Sequence, residues 1–214
     1  MNTSEILQHI DHTQLKAFAS WEDIDRLCAE ACKYHTASVC VPPCYIKRIH
    51  DKYPELNICT VVGFPLGYSV TEAKEAETRK AVEDGANEVD MVINISDVKN
   101  GDYDAVLEEI RALRRLTEGK ILKVIIETCY LTEEEKIKLC GIVTEAGADY
   151  IKTSTGFGTA GATLDDIRLF KEHIGPEVKM KAAGGIRTKE DMEAYLALGC
   201  ERIGSSSAGK LAEE

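Results

Sequence analysis

The sequence has little positive charge for its size. Its 214 residues include 26 lysines and arginines against 37 aspartates and glutamates, and the formal net charge is -11. Nucleic acids and anionic membranes are bound by basic surfaces, so we expect neither as a partner. A small anionic ligand needs only a local positive site and is not excluded.

Long apolar runs and linkers are also missing. No stretch reaches the ~20 apolar residues that a membrane-spanning helix needs, and residues 1–10 lack the apolar segment of a signal peptide. We therefore expect a cytoplasmic protein. No proline- or serine-rich linker, low-complexity segment or shift in composition divides the chain, so residues 1–214 are predicted to form a single domain.

Metal-ligand and nucleophile motifs are not prominent either. The sequence has eight cysteines, of which two pairs, Cys28/Cys32 and Cys40/Cys44, are spaced four residues apart. Zinc sites favour a tighter spacing, and in a cytosolic protein cysteines stay reduced. We interpret Cys40 as a small apolar residue of a strand. No Ser-His-Asp arrangement stands out, and the sequence itself indicates no metal or cofactor.

The chain alternates between short β-branched runs and amphipathic helical stretches. The predicted strands are residues 10–14, 37–41, 58–63, 88–94, 121–127, 149–153, 178–182 and 202–205. Five hydroxyl-x-x-acid patterns predict helix starts, at Ser20, Ser69, Thr132, Thr163 and Thr188. Eight strand–helix units with short connections predict a (β/α)₈ TIM barrel, with a doubly wound open sheet as the competing α/β fold.

One segment, Tyr150-Ile151-Lys152-Thr153-Ser154-Thr155-Gly156-Phe157-Gly158, organises the functional prediction. It reads as a buried strand that ends in a lysine and continues into a loop of small residues. A charged lysine is costly to bury, whereas a neutral lysine is a nucleophile for carbonyl carbons.

Further ionisable residues lie in the apolar runs of neighbouring strands. Active sites of such barrels lie at the carboxyl ends of the strands, where the predicted set is Asp11, Asp90, Lys123, Lys152 and Lys181, with Asn94 and Glu127 beside them. A purely structural ion network is the alternative interpretation. An acid and three lysines on consecutive strands favour a shared catalytic site.

Two of these lysines, Lys152 and Lys181, fall on neighbouring strands, whose backbones lie about 4.8 Å apart. A lysine with an ordinary pKa of about 10.4 is neutral in roughly one molecule in 2,500 at pH 7. A second ammonium at ~4 Å costs ~4 kcal/mol, or about three pK units, so either lysine could lower the pKa of the other. Lys179 shares the face of Lys181, and we expect it deeper in the barrel or at its floor.

Glycine-rich segments follow the last two strands, at Gly184-Gly185-Ile186-Arg187 and at Gly204-Ser205-Ser206. These are the usual phosphate-binding loops of barrels, although ordinary turn glycines are the alternative. A separate Gly-x-Gly-x-x-Gly pattern, residues 156–161, resembles a dinucleotide fingerprint. The next strand ends in Lys181-Ala182-Ala183 rather than in the required acid, which argues against that site.

The chain resembles the deoxyribose-phosphate aldolase family of class I aldolases over nearly its whole length. The resemblance is carried by Glu88-Val89-Asp90-Met91-Val92, Leu122-Lys123-Val124-Ile125-Ile126-Glu127-Thr128, the segment from Tyr150 to Gly156, and Lys181-Ala182-Ala183-Gly184-Gly185-Ile186-Arg187. It implies reversible, metal-independent cleavage of 2-deoxy-D-ribose 5-phosphate to acetaldehyde and D-glyceraldehyde 3-phosphate, in deoxyribose catabolism, without a cofactor and in a homodimer or higher homo-oligomer.

The resemblance also implies residue roles. Lys152 matches the Schiff-base lysine, Asp90 and Lys181 match the proton-transfer pair, and phosphate or substrate contacts are expected from Gly156, Gly184, Gly185, Arg187, Gly204, Ser206, Lys123 and Asp11. Two departures lead us to expect altered phosphate affinity and no help from a tail: Phe157 stands where some members have a second lysine, and the sequence ends at Glu214 without their terminal tyrosine.

Two other hypotheses are open. One is a barrel lyase that uses the same lysine on another sugar phosphate. The other is a non-catalytic phosphosugar- or nucleotide-binding barrel. A reducible covalent adduct on Lys152 would separate both enzymes from the binding protein, and a substrate panel would separate the two enzymes.

Overall fold

The computed structural model describes residues 1–213, and within them eight short strands form. They are β1 (Ile10–Thr13), β2 (Ser38–Val41), β3 (Ile58–Val62), β4 (Glu88–Val92), β5 (Ile121–Ile125), β6 (Tyr150–Lys152), β7 (Lys179–Ala183) and β8 (Arg202–Ser205). Each pairs in parallel with the next, and β8 pairs with β1, so the sheet closes into a barrel. The predicted TIM barrel is confirmed, and the doubly wound open sheet is wrong.

Ten α-helices accompany these strands in the same part of the chain. They are α1 (Thr3–Leu7), α2 (Trp21–Tyr34), α3 (Ile46–Lys52), α4 (Thr71–Glu83), α5 (Ile95–Asn100), α6 (Tyr103–Leu116), α7 (Glu133–Glu145), α8 (Leu164–His173), α9 (Lys189–Ala197) and α10 (Ala208–Glu213). Helix α1 precedes β1, both α5 and α6 follow β4, and one α-helix follows each other strand. None of the helices described is long and apolar enough to cross a membrane.

Four of the five predicted helix starts are confirmed. The hydroxyl oxygen of each accepts a hydrogen bond from the backbone N–H three residues later, at Ser20, Thr132, Thr163 and Thr188. The prediction at Ser69 is wrong, because α4 begins at Thr71 and its preceding residue, Val70, has no side-chain cap.

The strands separate an apolar layer from a polar barrel interior. Val89 and Met91 of β4 belong to the main apolar cluster, together with Val124 of β5. Asp90, between Val89 and Met91, contacts Lys181 on β7, which is not a neighbouring strand. Both side chains therefore point into the barrel, and the period-two alternation of the strands brings the ionisable residues together there.

Candidate active site

Three lysines converge on the carboxylate of Asp90. Its Oδ2 accepts hydrogen bonds from Nζ of Lys152 and from Nζ of Lys181, each at 2.7 Å, and its Oδ1 accepts one from Lys123 at 2.7 Å. The register of the strands explains this convergence, since Asp90 is paired with Lys123 across β4 and β5, and Lys152 with Lys181 across β6 and β7. The cluster predicted from four separate strands is thus one connected site.

The network continues below Asp90 toward the floor of the barrel. Lys181 also donates to Asp11, whose other oxygen accepts from Arg202 at 2.6 Å. Lys123 lies 2.5 Å from Glu88, and Arg202 donates to Glu88 at 2.8 Å. Arg202 and Glu88 were not predicted as members of the site. Both lie at the starts of strands, where the sequence alone does not show which side chains reach inward.

The charges of this network balance when one of its basic groups is uncharged. It contains three carboxylates and four basic groups, namely Asp11, Glu88, Asp90, Lys123, Lys152, Lys181 and Arg202. All are buried except Arg202, whose side chain is 13% exposed. An unbalanced charge is costly in such surroundings. The network is neutral when Lys152 is a free amine and the other six groups are charged.

Two groups next to Lys152, the Asp90 carboxylate and the Lys181 ammonium, have pKa values shifted so that both stay charged. Burial works to raise the pKa of Asp90, but the attraction of Lys123, Lys152 and Lys181 outweighs it and holds the pKa well below its usual range. Burial works to lower the pKa of Lys181, but Asp11 and Asp90 raise it above its ordinary value. The expectation that Lys181 could be the lysine with the lowered pKa is therefore wrong, because two carboxylates contact it directly.

A cavity of about 240 Å³ opens above Lys152 at the carboxyl ends of the strands. The carboxyl ends of β1, β6, β7 and β8 and the loops after them supply its wall: Thr13, Gln14, Leu15, Lys16, Lys152, Thr155, Gly156, Phe157, Ala183, Gly184, Gly185, Ile186, Arg187, Gly204, Ser205 and Ser206. The side chain of Lys152 is 4% exposed. This amine therefore forms the contact between the buried network and the open cavity.

Most of the predicted substrate-contact residues lie on this wall. Gly156, Gly184, Gly185, Arg187, Gly204 and Ser206 line the cavity, whereas Asp11 and Lys123 are fully buried in the network beneath it. Lys179 lies at the opposite end of β7, where its half-exposed side chain pairs with Glu201 at 3.1 Å. That position agrees with the expected barrel floor.

Sequence reasoning missed the contribution of the loop after β1. Thr13, Gln14 and Lys16 line the cavity, but only Asp11 was selected from this region. The pairing of β1 with β8, which closes the barrel, is the information that would have identified this loop. Because β1 pairs with β8, the loop after β1 emerges beside Ser205 and Ser206 at the barrel mouth.

The Gly-x-Gly-x-x-Gly segment folds back onto the loop after β7. The N–H of Ala162 donates to the carbonyl of Ala183 at 3.0 Å, and a Cβ added to Gly161 would lie 2.0 Å from the carbonyl oxygen of Gly184. Gly184 itself has a φ of 88°, in the left-handed region that favours glycine. These glycines allow two backbones to touch, and so shape the cavity wall.

A buried carboxylate fixes the loop that follows Lys152. Glu127 accepts hydrogen bonds from the backbone N–H of Thr155 at 3.2 Å and from its hydroxyl. The residue has a φ of 53°, which is uncommon for glutamate. Thr155 lines the cavity, so Glu127 sets the position of one part of its wall.

Two trios of buried side chains have the spacing of metal ligands. They are Cys40, Cys59 and Asp90, and Asp11, Cys59 and Glu88, with the ligand atoms of each trio within 4.8 Å of one another. Ammonium groups already compensate these carboxylates, as in the 2.7 Å contact from Lys123 to Asp90. We interpret both trios as parts of the ion network.

Comparison with known proteins places the chain among aldolases. The sequence model of the DeoC/LacD family aldolases matches residues 6–207. A deoxyribose-phosphate aldolase of Clostridium botulinum (strain Alaska E43 / Type E3) is 67% identical over 209 residues, which cover 97% of this chain and 95% of the relative. One of Clostridioides difficile (strain 630) is 56% identical, over 96% of this chain and 94% of the relative.

A solved structure is similar in fold as well. The deoxyribose phosphate aldolase of Aeropyrum pernix, described as a unique tetrameric structure, superposes with a TM-score of 0.92 at 31% identity. The match covers 99% of this chain and 91% of that one. Sequence and fold therefore point to the same group of enzymes.

Proposed function

Since this chain belongs to the DeoC/LacD family of aldolases, we propose that it cleaves 2-deoxy-D-ribose 5-phosphate reversibly to acetaldehyde and D-glyceraldehyde 3-phosphate through a Schiff base on Lys152. One observation carries the residue assignment. Lys152 connects a charge-compensated buried network to the cavity, and the network balances when this lysine is a neutral amine.

The bond changes follow from the amine. Nζ of Lys152 attacks the C1 aldehyde carbon of the open-chain sugar, and loss of water from the carbinolamine gives an iminium. A base removes the proton of the C3 hydroxyl, the C2–C3 bond breaks, and its electron pair forms an enamine with C1 and the nitrogen. D-Glyceraldehyde 3-phosphate leaves. Protonation of the enamine at C2 and hydrolysis then release acetaldehyde and the free amine.

Asp90 and Lys181 are the proposed proton-transfer pair. Asp90 contacts both lysines through the same oxygen, and its lowered pKa keeps it ionised. It would therefore relay protons through a water rather than hold one itself. Lys181 stays charged between Asp11 and Asp90 and can donate a proton, directly or through a water, as charge develops on the substrate. Asp11 and Lys123 act on the reaction through these two residues.

The wall formed by the loops after β7 and β8 is the proposed phosphate site. Ser205 connects the two loops, since its hydroxyl donates to the carbonyl of Ile186 at 2.9 Å and accepts from the N–H of Ser207 at 3.1 Å. Gly184, Gly185, Gly204, Ser206 and Arg187 would contact the phosphate there, and Gly156 faces it from the loop after β6. Holding the unreactive end of the sugar positions its carbonyl at Lys152.

Reductive trapping tests the assignment directly. Enzyme treated with acetaldehyde and borohydride should carry an ethyl group on Lys152, located by peptide mass mapping. Lys152→Ala should remove both the adduct and the turnover. Lys179→Ala is the matched control, because this half-exposed lysine lies at the other end of the adjacent strand. An unmodified Lys152 in enzyme that turns over normally would refute the proposal.

Reductive trapping and a substrate panel together separate the alternatives. A non-catalytic phosphosugar-binding barrel predicts ligand binding without a reducible adduct. A lyase of another sugar phosphate predicts the adduct but a different preference in a substrate panel. The family and the 67% identical relative favour the deoxyribose phosphate.

We also propose that the protein is a homodimer or higher homo-oligomer in the cytoplasm. The Aeropyrum pernix relative is described as tetrameric, and Leu66, Tyr68 and Val70 form an exposed apolar stretch on this chain. Light scattering coupled to size exclusion measures the assembly, and fractionation of the source cells measures the location.

A further inference from the structure

We propose that Lys16, in the loop after β1, is a specificity-determining residue that binds the substrate phosphate from the side of the cavity opposite Arg187. The inference deepens the proposed function and rests on it. Lys16 is exposed, and it lies outside the motifs on which the sequence predictions rest.

The cavity wall carries two basic side chains besides Lys152, and they come from different loops. Arg187 follows β7, and Lys16 follows β1. Strand β8 lies between β7 and β1 in the barrel, and it leads into Ser206. With neighbouring strands about 4.8 Å apart, the two long side chains flank the position in which Ser206 and the glycine loops would hold a phosphate.

The backbone of Lys16 is held in place while its ammonium group is available. Its N–H donates to Oε1 of Gln14 at 3.3 Å, and its carbonyl accepts from the N–H of Ala19 at 3.0 Å. Its Nζ lies 5.8 Å from the centre of the Phe18 ring and forms no ion pair with a carboxylate of residues 1–213. On a chain of net charge -11, such a lysine beside the catalytic cavity indicates an anionic ligand.

The charge of the substrate phosphate matches that of two basic side chains, Lys16 and Arg187. A sugar phosphate carries close to two negative charges at pH 7. Arg187 and Lys16 would together compensate it, whereas Lys123 and Lys181 are already paired with Asp11, Glu88 and Asp90. Lys16 should therefore separate phosphorylated from unphosphorylated sugars.

Kinetics on two substrates test this role. We expect Lys16→Met to lower the ratio of kcat/KM for 2-deoxyribose 5-phosphate to that for 2-deoxyribose at least about tenfold, the loss typical of a hydrogen bond to a charged group. Lys16→Arg should restore most of the ratio. Lys138→Met is the matched control, because Lys138 is also exposed and its Nζ lies 4.5 Å from the ring centre of Tyr103, on the outer helices.

Phosphate binding gives a readout that does not depend on turnover. In a titration with inorganic phosphate followed by phosphorus NMR, Lys16→Met should weaken binding and Lys138→Met should not. If the wild type does not cleave the sugar but binds phosphate, and Lys16→Met weakens that binding, the proposed function fails and the role of Lys16 stands. An unchanged ratio and unchanged phosphate affinity in Lys16→Met, or equal losses on both sugars, would overturn the inference.

Discussion

Lys152 and Lys181 share one acceptor, Oδ2 of Asp90, at 2.7 Å each. This geometry divides two roles between chemically identical side chains. Lys181 is fully buried and has Asp11 as a second carboxylate partner, which keeps it charged. Lys152 has no second carboxylate among the described residues and reaches the cavity, so it is the lysine that the network allows to be neutral.

Removal of Lys181 should therefore reduce activity most at neutral pH. In Lys181→Met the network loses one fixed positive charge, and a charged Lys152 then restores the balance. We expect kcat/KM at pH 7 to fall about 100-fold or more, as for loss of a proton-transfer group, with the acidic limb of the pH–rate profile moved to higher pH. Lys179→Met, on the same strand but at the barrel floor, should leave the profile in place. A Lys181→Met profile that is lower but not displaced would contradict the charge-balance argument.

The buried carboxylates make stability depend on acid pH. Burial works to raise the pKa of Asp11, but Lys123, Lys181 and Arg202 lower it overall. Because the folded pKa lies below the unfolded value of about 3.9, the contribution is present above that value and is lost as the pH falls through the folded pKa. Asp11→Asn should lower the free energy of unfolding by about 3–5 kcal/mol at pH 7. The difference in this free energy between the variant and the wild type should become smaller below about pH 4.

Urea denaturation between pH 7 and pH 3 measures this difference. Asp51→Asn is the control, since Asp51 pairs with Lys47 on the surface and both side chains are more than half exposed. Asp51→Asn should change the free energy of unfolding by no more than about 0.5 kcal/mol at every pH. A constant difference between Asp11→Asn and wild type across the range would show that the carboxylate charge is not what stabilises the fold.

The barrel and the candidate cluster of ionisable residues could be predicted from the sequence because both depend on short-range patterns. β-Branched, largely apolar runs marked seven of the strands, whereas the first was predicted mainly because it completes the series of eight. The period of two placed Asp90 and Lys181 inside the barrel. The lysine at the end of β6 was recognisable because a charged residue ended an apolar run. Predicted strands ran up to two residues past the observed ends, as at Glu127, where the chain turns into a left-handed conformation.

What the sequence did not reveal depends on contacts between distant segments. The pairing of β1 with β8 brings Lys16 to the wall of the phosphate loops, and no local pattern encodes that closure. The expected repulsion between Lys152 and Lys181, which left open which of the two would have the lowered pKa, does not decide the pKa of Lys181 for the same reason. Two lysines on adjacent strands suggested repulsion, but Asp11, nearly the whole chain away, supplies the attraction that prevails.

The contact between Gly161 and Gly184 should be sensitive to a single methyl group. Gly161→Ala places its Cβ against the carbonyl of Gly184, so one of the two loops must move. We expect a loss of about 1–3 kcal/mol in unfolding free energy and a higher KM for the phosphorylated sugar. Gly141→Ala, in α7 with no atom within 4 Å of the added Cβ, should be neutral or stabilising by about 1 kcal/mol. Equal behaviour of the two variants would contradict the close packing of these loops.

A second buried ion pair holds the end of the strand that carries Asp90. Nζ of Lys74 contacts Glu109 at 2.7 Å and donates to the carbonyl of Val92 at 2.9 Å. Burial lowers the pKa of Lys74 and raises that of Glu109 despite their mutual attraction, so the pair is costly to bury. Lys74→Met alone should destabilise the protein by about 3–5 kcal/mol, because Glu109 is left unpaired. The double variant Lys74→Met/Glu109→Leu should recover much of that loss in urea denaturation. Additive losses would show that the two residues contribute independently, so an unpaired Glu109 would not be the cause of the loss.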